Sequence, residues 1–383
     1  MGRARADIVQ TMRVGERHAA MMRRALDEAR RGLGRTHPNP AVGCVIARGD
    51  EIIAVGYHAR AGLAHAEAAA LTRAGERARG ADLYVTLEPC DHQGRTGPCS
   101  HAIIAAGVRR VFVGASDPNP IVSGRGVRRL RRAGIEVHRG IEVDACRALN
   151  EAYEHSIRHG RPFVVAKMAM SLDGKVATST GDSQWVTGAA ARRYGHRLRN
   201  ELDAICVGVG TVLADDPRLS CRLRGGRDPV RIIVDTQART PTQSTVLALA
   251  RATQVPSYLA VSATAPVRRL RALERAGATI WPLPTSGGHV DLVALLRRIA
   301  EEGLRSMLLE GGPRLLGGFF DSGLVDKLFT FVAPLVIGGE AARSAVAGQG
   351  AVTLGQAMRL RWQTVEPVGA DWLLVGYPRR HSR

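Results

Sequence analysis

Two short stretches of the chain, AHAEA and EPCDHQGRTGPC, place one histidine, one glutamate and two cysteines at spacings that suit a metal site. A zinc ion that activates water needs three protein ligands and an open fourth position. His65, Cys90 and Cys99 would supply one imidazole and two thiolates. Glu67 would take a proton from the water and return it to a leaving group. We therefore predict a zinc site, and the fold must bring the second stretch beside the first.

The spacing of His65 and Glu67 restricts the local structure. The two residues are two positions apart, so they do not share a helix face. They can face one ion only from the first turn of a helix that starts there, where the N-terminus favours negative charge. Nucleobase deaminases use this ligand set, usually with two residues between the cysteines. Eight residues separate Cys90 from Cys99, so this site is a variant.

Polar residues near these motifs are candidate substrate ligands for the same site. The loop between the two cysteines contains His92 and Arg95, and a loop that closes between metal ligands is expected to face the site. Asn39 precedes the first predicted strand, and its amide can pair with a pyrimidine edge. His58 ends the second predicted strand beside the metal helix.

The length of 383 residues favours two domains. Strand and helix patterns alternate through the first part, which predicts a three-layer α/β domain, and they restart after the segment EHSIRHGRP. We expect a flexible leader over residues 1–16, a first domain over 17–158 and a second α/β domain over 162–383.

The net charge of +19 raises the question of nucleic acid binding. The cations are almost all arginines scattered through helical segments, which favours solvated faces, with some arginines left for an anionic substrate. No apolar run approaches the length of a membrane span. We therefore expect a cytoplasmic protein that binds a small phosphorylated molecule and neither nucleic acid nor membrane.

The second half shows a weaker constellation. Glu310 ends a predicted strand, and the glycines at 311 and 312 with Pro313 begin a helix, whose backbone N–H groups suit a phosphate. The segment GVGTVLADDP lacks the third glycine of a dinucleotide fingerprint. Lys167 is one of only three lysines in the chain, which indicates a need for a compact ammonium. These features predict a nucleotide-cofactor site outside the Rossmann class.

From about residue 17 to 377 the chain resembles the bifunctional bacterial riboflavin-biosynthesis family, a pyrimidine deaminase fused to a pyrimidine reductase. The resemblance rests on motifs in both halves, among them THPNPAVGCVI, HAEAAAL, YVTLEPCDHQGRTGPC, DPNPIVSGRG, KMAMSLDGKVATSTGDSQW, PVRIIVDT, LLEGGPRLLGGF and APLVIGG. It implies a cytidine-deaminase-like fold with Zn²⁺ followed by a dihydrofolate-reductase-like fold with NADPH. It also implies deamination of a phosphoribosylated diaminopyrimidine, followed by reduction of its ribosyl group.

The resemblance also implies roles for individual residues. The zinc ligands and the deaminase substrate residues are those named above. The substrate of the reductase would contact Lys167, Ser183, Arg199, Leu219, Arg222 and Glu310. NADPH would contact Ala169, Trp185, Thr211, Asp215 and the turn formed by Gly312, Pro313, Arg314, Leu315, Leu316, Gly317 and Gly318.

The chain departs from the family pattern at two positions, since Asp91 stands where a small residue such as serine is common and Gly97 where proline is common. Asp91 adds negative charge next to the metal loop. Two alternatives remain open from the residues alone: a zinc deaminase acting on nucleic acid, and a non-enzymatic binding module stabilised by a closed zinc site. Both implied folds commonly self-associate, so we also expect a homo-oligomer.

Overall fold

The computed structural model describes residues 2–93 and 97–379, with side chains from residue 15 onward. The chain divides into two compact units, Met1–Gly160 and Arg161–Arg383. Among the residues described, none of the helices combines the length and apolar character needed to cross a bilayer.

The first unit is built on one mixed sheet. Its described strands are β1 (Gly43–Arg48), β2 (Glu51–Tyr57), β3 (Asp82–Leu87), β4 (Arg110–Ala115) and β5 (Glu136–Arg139). Its described helices are α1 (Gly2–Arg30), α2 (Ala66–Ala74), α3 (Cys99–Ala105), α4 (Arg125–Arg132), α5 (Val143–Leu149) and α6 (Glu151–His159). The strand order is β2-β1-β3-β4-β5, with β1 antiparallel to both neighbours and β3, β4 and β5 parallel.

Alternation along the strands produces the three layers predicted from the sequence. On β1, Val45 lies in the buried cluster that includes Leu26 of α1, whereas Ile46 lies in the opposite cluster with Ala70 of α2 and Ile103 of α3. Successive strand residues point to opposite faces, so both sides of the sheet are apolar and both need a helical layer. Each fully buried aliphatic side chain contributes about 1.5–3 kcal/mol to stability.

The N-terminal helix differs from the expectation. We expected residues 1–16 to form a flexible leader and the helix to begin near Glu16, but α1 begins at Gly2. The segment contains no proline, and Ala, Arg, Met and Gln favour helix, so local propensity allows the helix to extend past the buried turns around Met22 and Leu26.

The second unit contains a larger sheet. Its strands are β6 (Phe163–Ser171), β8 (Ala204–Gly208), β9 (Val230–Val234), β10 (Ser257–Ser262), β11 (Ala278–Leu283), β14 (Ser306–Leu309), β15 (Lys327–Ala333), β17 (Leu360–Val368) and β18 (Asp371–Pro378). Two small ribbons pair β7 (Lys175–Ala177) with β16 (Arg343–Ser344), and β12 (Thr285–Ser286) with β13 (His289–Val290). The described helices are α7 (Ala189–Glu201), α8 (Val209–Asp215), α9 (Thr245–Ala252), α10 (Val267–Arg275), α11 (Leu292–Glu301) and α12 (Pro313–Asp321).

The order of the large sheet positions the second site. It reads β11-β10-β9-β8-β14-β6-β15-β18-β17, parallel from β11 to β15 and antiparallel at the β15–β18–β17 end. In sheets of this kind, ligands bind beyond the carboxyl ends of the parallel strands. Glu310 directly follows β14 at that edge. The strands β14 and β8 are almost fully buried, and β6 is buried over its first four residues.

Candidate functional site: a metal centre and a charged pocket

The metal centre is assembled from three separate elements of the first unit. His65 is the N-cap of α2, Cys99 opens α3, and Cys90 lies three residues beyond the end of β3. The Nδ1 atom of His65 lies 3.3 Å from Cys99 Sγ and 3.6 Å from Cys90 Sγ. The three ligand atoms lie within 4.8 Å of one another. The spacing argument correctly placed His65 and Glu67 at a helix start, and a second helix opens at Cys99.

The geometry of these three atoms fits zinc. Zn–N and Zn–S bonds of about 2.0 and 2.3 Å in a tetrahedron separate nitrogen from sulfur by about 3.5 Å, close to the distances from His65 Nδ1 to both sulfur atoms. Hydrogen bonding to Cys99, with His65 adding to it, lowers the pKa of Cys90, so this thiol is readily present as the thiolate that binds metal. Hydrogen bonding to Cys90 correspondingly raises the pKa of Cys99.

Glu67 lies in the first turn of α2 with only 3% of its surface exposed. Burial is the main reason that its pKa is raised to about 7, and the negative charge of Cys90 adds to the effect. A carboxyl group buried beside three potential metal ligands is suited to accept and return a proton.

Two of the predicted pyrimidine-binding residues, Asn39 and His58, form a hydrogen bond with each other. The amide nitrogen Nδ2 of Asn39 lies 3.1 Å from Nε2 of His58, and the other ring nitrogen of His58 lies 3.1 Å from the Ala64 carbonyl. The carbonyl accepts from Nδ1–H, so Nε2 accepts from Asn39, and burial lowers the pKa of His58. His58 therefore orients the Asn39 amide. Its ring also meets His65 edge-on, with ring centroids 5.2 Å apart.

The loop between the two cysteines is only partly described. His92 is half-buried, and its Nδ1 atom is buried without a hydrogen-bond partner among the residues described. Arg95, the other predicted ligand from this loop, lies outside the described residues. A buried imidazole nitrogen that has no partner among the described residues makes His92 a candidate for a substrate contact.

A second charged pocket forms in the second unit around Glu310. Arg199 of α7 makes a bidentate pair with it, at 3.0 Å from Nε to Oε1 and 2.7 Å from Nη2 to Oε2. Burial alone would raise the pKa of Glu310, but the charges of Arg199 and Lys167 outweigh it and lower the pKa to about 2. Glu310 is therefore ionised at neutral pH, and Lys167 on β6 lies near enough to contribute to that shift.

One residue of this pocket was missed by the sequence analysis. His196 lies one turn before Arg199 on α7, and its Nε2 accepts a hydrogen bond from Arg222 Nε at 3.0 Å. Burial lowers its pKa, and the charges of Arg199 and Arg222 lower it further. The i, i+3 spacing from Arg199 was the available signal, because residues three apart share a helix face.

The loop that carries Leu219 and Arg222 is held in place through the buried side chain of Arg231. Arg231 on β9 is completely buried, and its Nη2 donates to Asp228 Oδ2 at 2.8 Å. Asp228 Oδ1 in turn accepts from the backbone N–H of Cys221 at 2.8 Å. Leu219 adopts a positive φ of 50°, which a non-glycine residue holds only when its surroundings impose it.

The remaining predicted reductase residues lie in three places. Ser183 and Trp185 lie between β7 and α7, and the exposed Trp185 ring stacks on the guanidinium of Arg192, 4.6 Å from its centroid. Ala169 lies on β6, two residues beyond Lys167. Thr211 and Asp215 belong to α8, which follows β8 directly.

The glycine turn that the sequence predicts to bind phosphate lies at the start of α12. Gly312 is the N-cap and Pro313 the first helical residue, so the N-terminus of a nine-residue helix is free of side-chain capping. A Cβ atom on Gly312 would lie 3.5 Å from Thr211 Oγ1, so the turn lies beside α8. Gly317 has no room for a side chain, because a Cβ there would lie 1.7 Å from the Ala347 carbonyl oxygen. Backbone N–H groups at an uncapped helix N-terminus can bind phosphate.

Comparison with known proteins covers both units. The family model described as the cytidine and deoxycytidylate deaminase zinc-binding region matches residues 15–115, and that described as the RibD C-terminal domain matches 162–374. The riboflavin biosynthesis protein RibD of Actinobacillus pleuropneumoniae is 42% identical over 355 residues, which cover 92% of this chain and 93% of the relative.

Solved structures extend the similarity to the whole architecture. Acinetobacter baumannii RibD superposes with a TM-score of 0.85 at 36% identity, covering 96% of this chain and 100% of that one. A Thermotoga maritima protein, described as a diaminohydroxyphosphoribosylaminopyrimidine deaminase/5-amino-6-(5-phosphoribosylamino)uracil reductase, gives 0.84 at 33%, covering 95% and 99%.

The fold and the two sites define a zinc-dependent deaminase joined in one chain to an NADPH-dependent reductase. The chain belongs to the RibD family of bifunctional riboflavin biosynthesis proteins. The predicted fold class, a cytidine-deaminase-like domain followed by a dihydrofolate-reductase-like domain, is confirmed. A deaminase of nucleic acid and a zinc-stabilised binding module are not favoured, because both leave the RibD C-terminal match unexplained.

Proposed function

We propose that the first domain, residues 17–158, hydrolyses the 2-amino group of 2,5-diamino-6-ribosylamino-4(3H)-pyrimidinone 5′-phosphate and releases ammonia. The second domain, residues 162–383, then reduces the ribosyl group of 5-amino-6-(5-phosphoribosylamino)uracil to ribityl with NADPH. The observation that carries the proposal is the convergence of His65, Cys90 and Cys99 beside the buried Glu67. The substrates named for the Thermotoga maritima relative support this choice of pyrimidine.

In the deaminase, we assign His65, Cys90 and Cys99 as zinc ligands and Glu67 as the catalytic proton carrier. When bound, zinc supplies the Lewis acidity that makes water nucleophilic near neutral pH. Glu67 takes a proton from the water and transfers it to the departing amine, and its burial keeps bulk solvent from competing.

The pyrimidine is held by the polar residues around this centre. Asn39, oriented by His58, presents its remaining amide donor and carbonyl to the ring edge. The Nδ1 atom of His92, which has no partner in the part of the chain that the structure describes, supplies a further contact. Arg95 is assigned to the anionic part of the substrate, since its guanidinium can bind phosphate by two parallel hydrogen bonds.

In the reductase, the protonation states divide the roles within the pocket. NADPH supplies the hydride, with its phosphates on the turn from Gly312 to Gly318 and further contacts from Ala169, Trp185, Thr211 and Asp215. Glu310 is ionised and cannot donate a proton, so the ammonium of Lys167 is assigned as the acid. Arg222 is exposed and binds the substrate phosphate, with Arg199, Ser183 and Leu219 completing the site.

Removal of the metal should separate the two activities. After exhaustive dialysis against a zinc chelator, we expect ammonia release from the diaminopyrimidine to fall more than about 100-fold. NADPH oxidation with the aminouracil should be unchanged, since the reductase pocket contains none of the three metal ligands. Ammonia and absorbance at 340 nm would be followed on the same samples, and added Zn²⁺ should restore the first activity. Undiminished ammonia release from metal-free protein would refute the assignment.

We also propose that the protein self-associates through the second unit and works in the cytoplasm. The supporting feature is an apolar face on the edge strand β17 and its neighbour β18, formed by Trp362, Val365 and Trp372, each about half exposed. Their register places all three on one side of the sheet, and such patches mark association sites.

All six cysteines are free, as suits a reducing compartment.

The face can be tested by mass measurement in solution. A Trp362→Ser, Trp372→Ser variant should shift the protein from an oligomer to a monomer in size-exclusion chromatography with light scattering, because two large apolar rings leave the contact. Leu354→Ser is the matched control, since Leu354 is 89% exposed and lies outside this face. An unchanged mass for the double variant would contradict the proposed interface.

A further inference from the structure

The two segments that carry the cysteine ligands are tied together by Asp91. Its Oδ1 atom accepts a hydrogen bond from Ser100 Oγ at 2.5 Å, and these residues directly follow Cys90 and Cys99. The backbone adds two bonds in the same place, from Ser100 N to Cys90 O at 3.1 Å and from Cys99 N to Cys90 Sγ at 3.4 Å. Of these contacts, only the first depends on the side chain at position 91.

A helix outside the metal loop holds the same carboxylate. Arg129 of α4 donates its Nε–H to Asp91 Oδ1, and His101 Nε2 lies 3.8 Å from that atom. The Asp91 side chain is only 12% exposed, and Ser100 is completely buried. An exposed ion pair contributes about 0–1 kcal/mol. Only the Asp91 end of this pair is largely buried. Loss of Asp91 would leave the buried Ser100 hydroxyl without its acceptor.

The loop between Cys90 and Cys99 is eight residues long, and this length explains why contacts that hold its two ends together matter. A longer loop between two ligands has more ways to separate them, so convergence of the two sulfur atoms needs a restraint at the loop ends. Residues that orient metal ligands from behind change metal affinity by about 10–100-fold when replaced. An uncharged residue at position 91 could not form the ion pair with Arg129.

We propose that Asp91 is a positioning residue for the metal: with Ser100 and Arg129 it closes the base of the ligand loop and slows the loss of zinc. The proposal rests on the ligand role assigned to Cys90 and Cys99. It goes beyond that role, because it predicts how long the ion stays bound. Asp91 is not one of the three candidate ligands, and it would act on the metal only by holding the segments that carry Cys90 and Cys99.

The test measures zinc release rather than turnover. Zinc-loaded full-length protein is mixed with excess of a chromogenic chelator well below its melting temperature, and the rate of zinc transfer is recorded. Asp91→Ala should release zinc about 10–100-fold faster than the parent. Asp91→Asn should fall between them, because it keeps an acceptor for Ser100 and loses the charge that pairs with Arg129. Asp27→Asn, which removes an exposed ion pair with Arg30 on α1, is the matched control and should release zinc at the parent rate.

Arg129→Gln keeps the test decisive if Asp91→Ala does not fold. The Arg129 side chain is about half exposed on α4. Removal of its charge should make zinc release faster, as Asp91→Ala does. Parent-like release from both Asp91→Asn and Arg129→Gln would overturn the proposal while leaving the zinc ligands in place. Parent protein without stoichiometric zinc would instead overturn the ligand assignment, and this inference with it.

Discussion

Replacing Glu67 by glutamine is expected to reduce ammonia release by about 10²–10⁴-fold while the protein keeps its zinc and its reductase activity. Glutamine has nearly the same shape, so the first turn of α2 should keep His65 in place. It cannot carry a proton between the water and the leaving amine. Ammonia would be measured under single-turnover conditions, with zinc content determined on the same preparation.

The matched control for Glu67→Gln is a substitution of a nearby exposed glutamate. Glu76→Gln removes an exposed carboxylate just beyond the end of α2, and it should leave both activities unchanged. Near-parent ammonia release from Glu67→Gln with full zinc occupancy would show that another group carries the proton. Loss of zinc from that variant would instead show that the carboxylate contributes to metal binding.

Local motifs made the metal centre predictable from sequence. The two-residue spacing of His65 and Glu67 allows one arrangement at a helix start, and the structure has it. The continuous apolar run of β1 likewise required helices on both faces of the sheet. In both cases the determining residues lie within a few positions of one another, where backbone geometry alone restricts the outcome.

Contacts between distant residues were not predictable in the same way. Arg199 and Glu310 are 111 positions apart, and nothing in either local pattern indicates that they form a bidentate pair. The same holds for Arg129 and Asp91, which are 38 positions apart, and for the buried Arg231, which reads as one more surface cation in an arginine-rich chain. Such pairs depend on the packing of whole elements, which spacing rules do not describe.

Of the substitutions proposed, those that break the Arg199–Glu310 pair are expected to lower the free energy of unfolding most. The two side chains are only 17% and 11% exposed, and removal of one partner from a buried pair costs about 3–5 kcal/mol. In Glu310→Gln the charges of Arg199 and Lys167 lose their counterion, so the second unit should unfold at lower urea concentration. Reduction of the aminouracil should also be lost, whereas ammonia release should persist.

The contribution of the Arg199–Glu310 pair to the free energy of unfolding should depend on pH. The pKa of Glu310 is lowered to about 2 in the folded protein from 4.5, so its contribution to stability is complete above pH 4.5 and is lost as pH falls through about 2. The difference in unfolding free energy between parent and Glu310→Gln should therefore shrink over that range, as followed by urea unfolding at each pH. Glu301→Gln, which removes a largely exposed partner of Arg298, should cost less than about 1 kcal/mol.

A double replacement separates the structural role of the pair from its chemical role. Arg199→Met combined with Glu310→Leu removes both charges and fills the space with apolar groups, an exchange that is often neutral or stabilising for buried pairs. We expect it to recover most of the stability lost in Glu310→Gln and none of the reductase activity, because the substrate loses both charged contacts. Recovery of reduction together with stability would mean that the pair serves only the fold, and the substrate assignment of Arg199 and Glu310 would then be wrong.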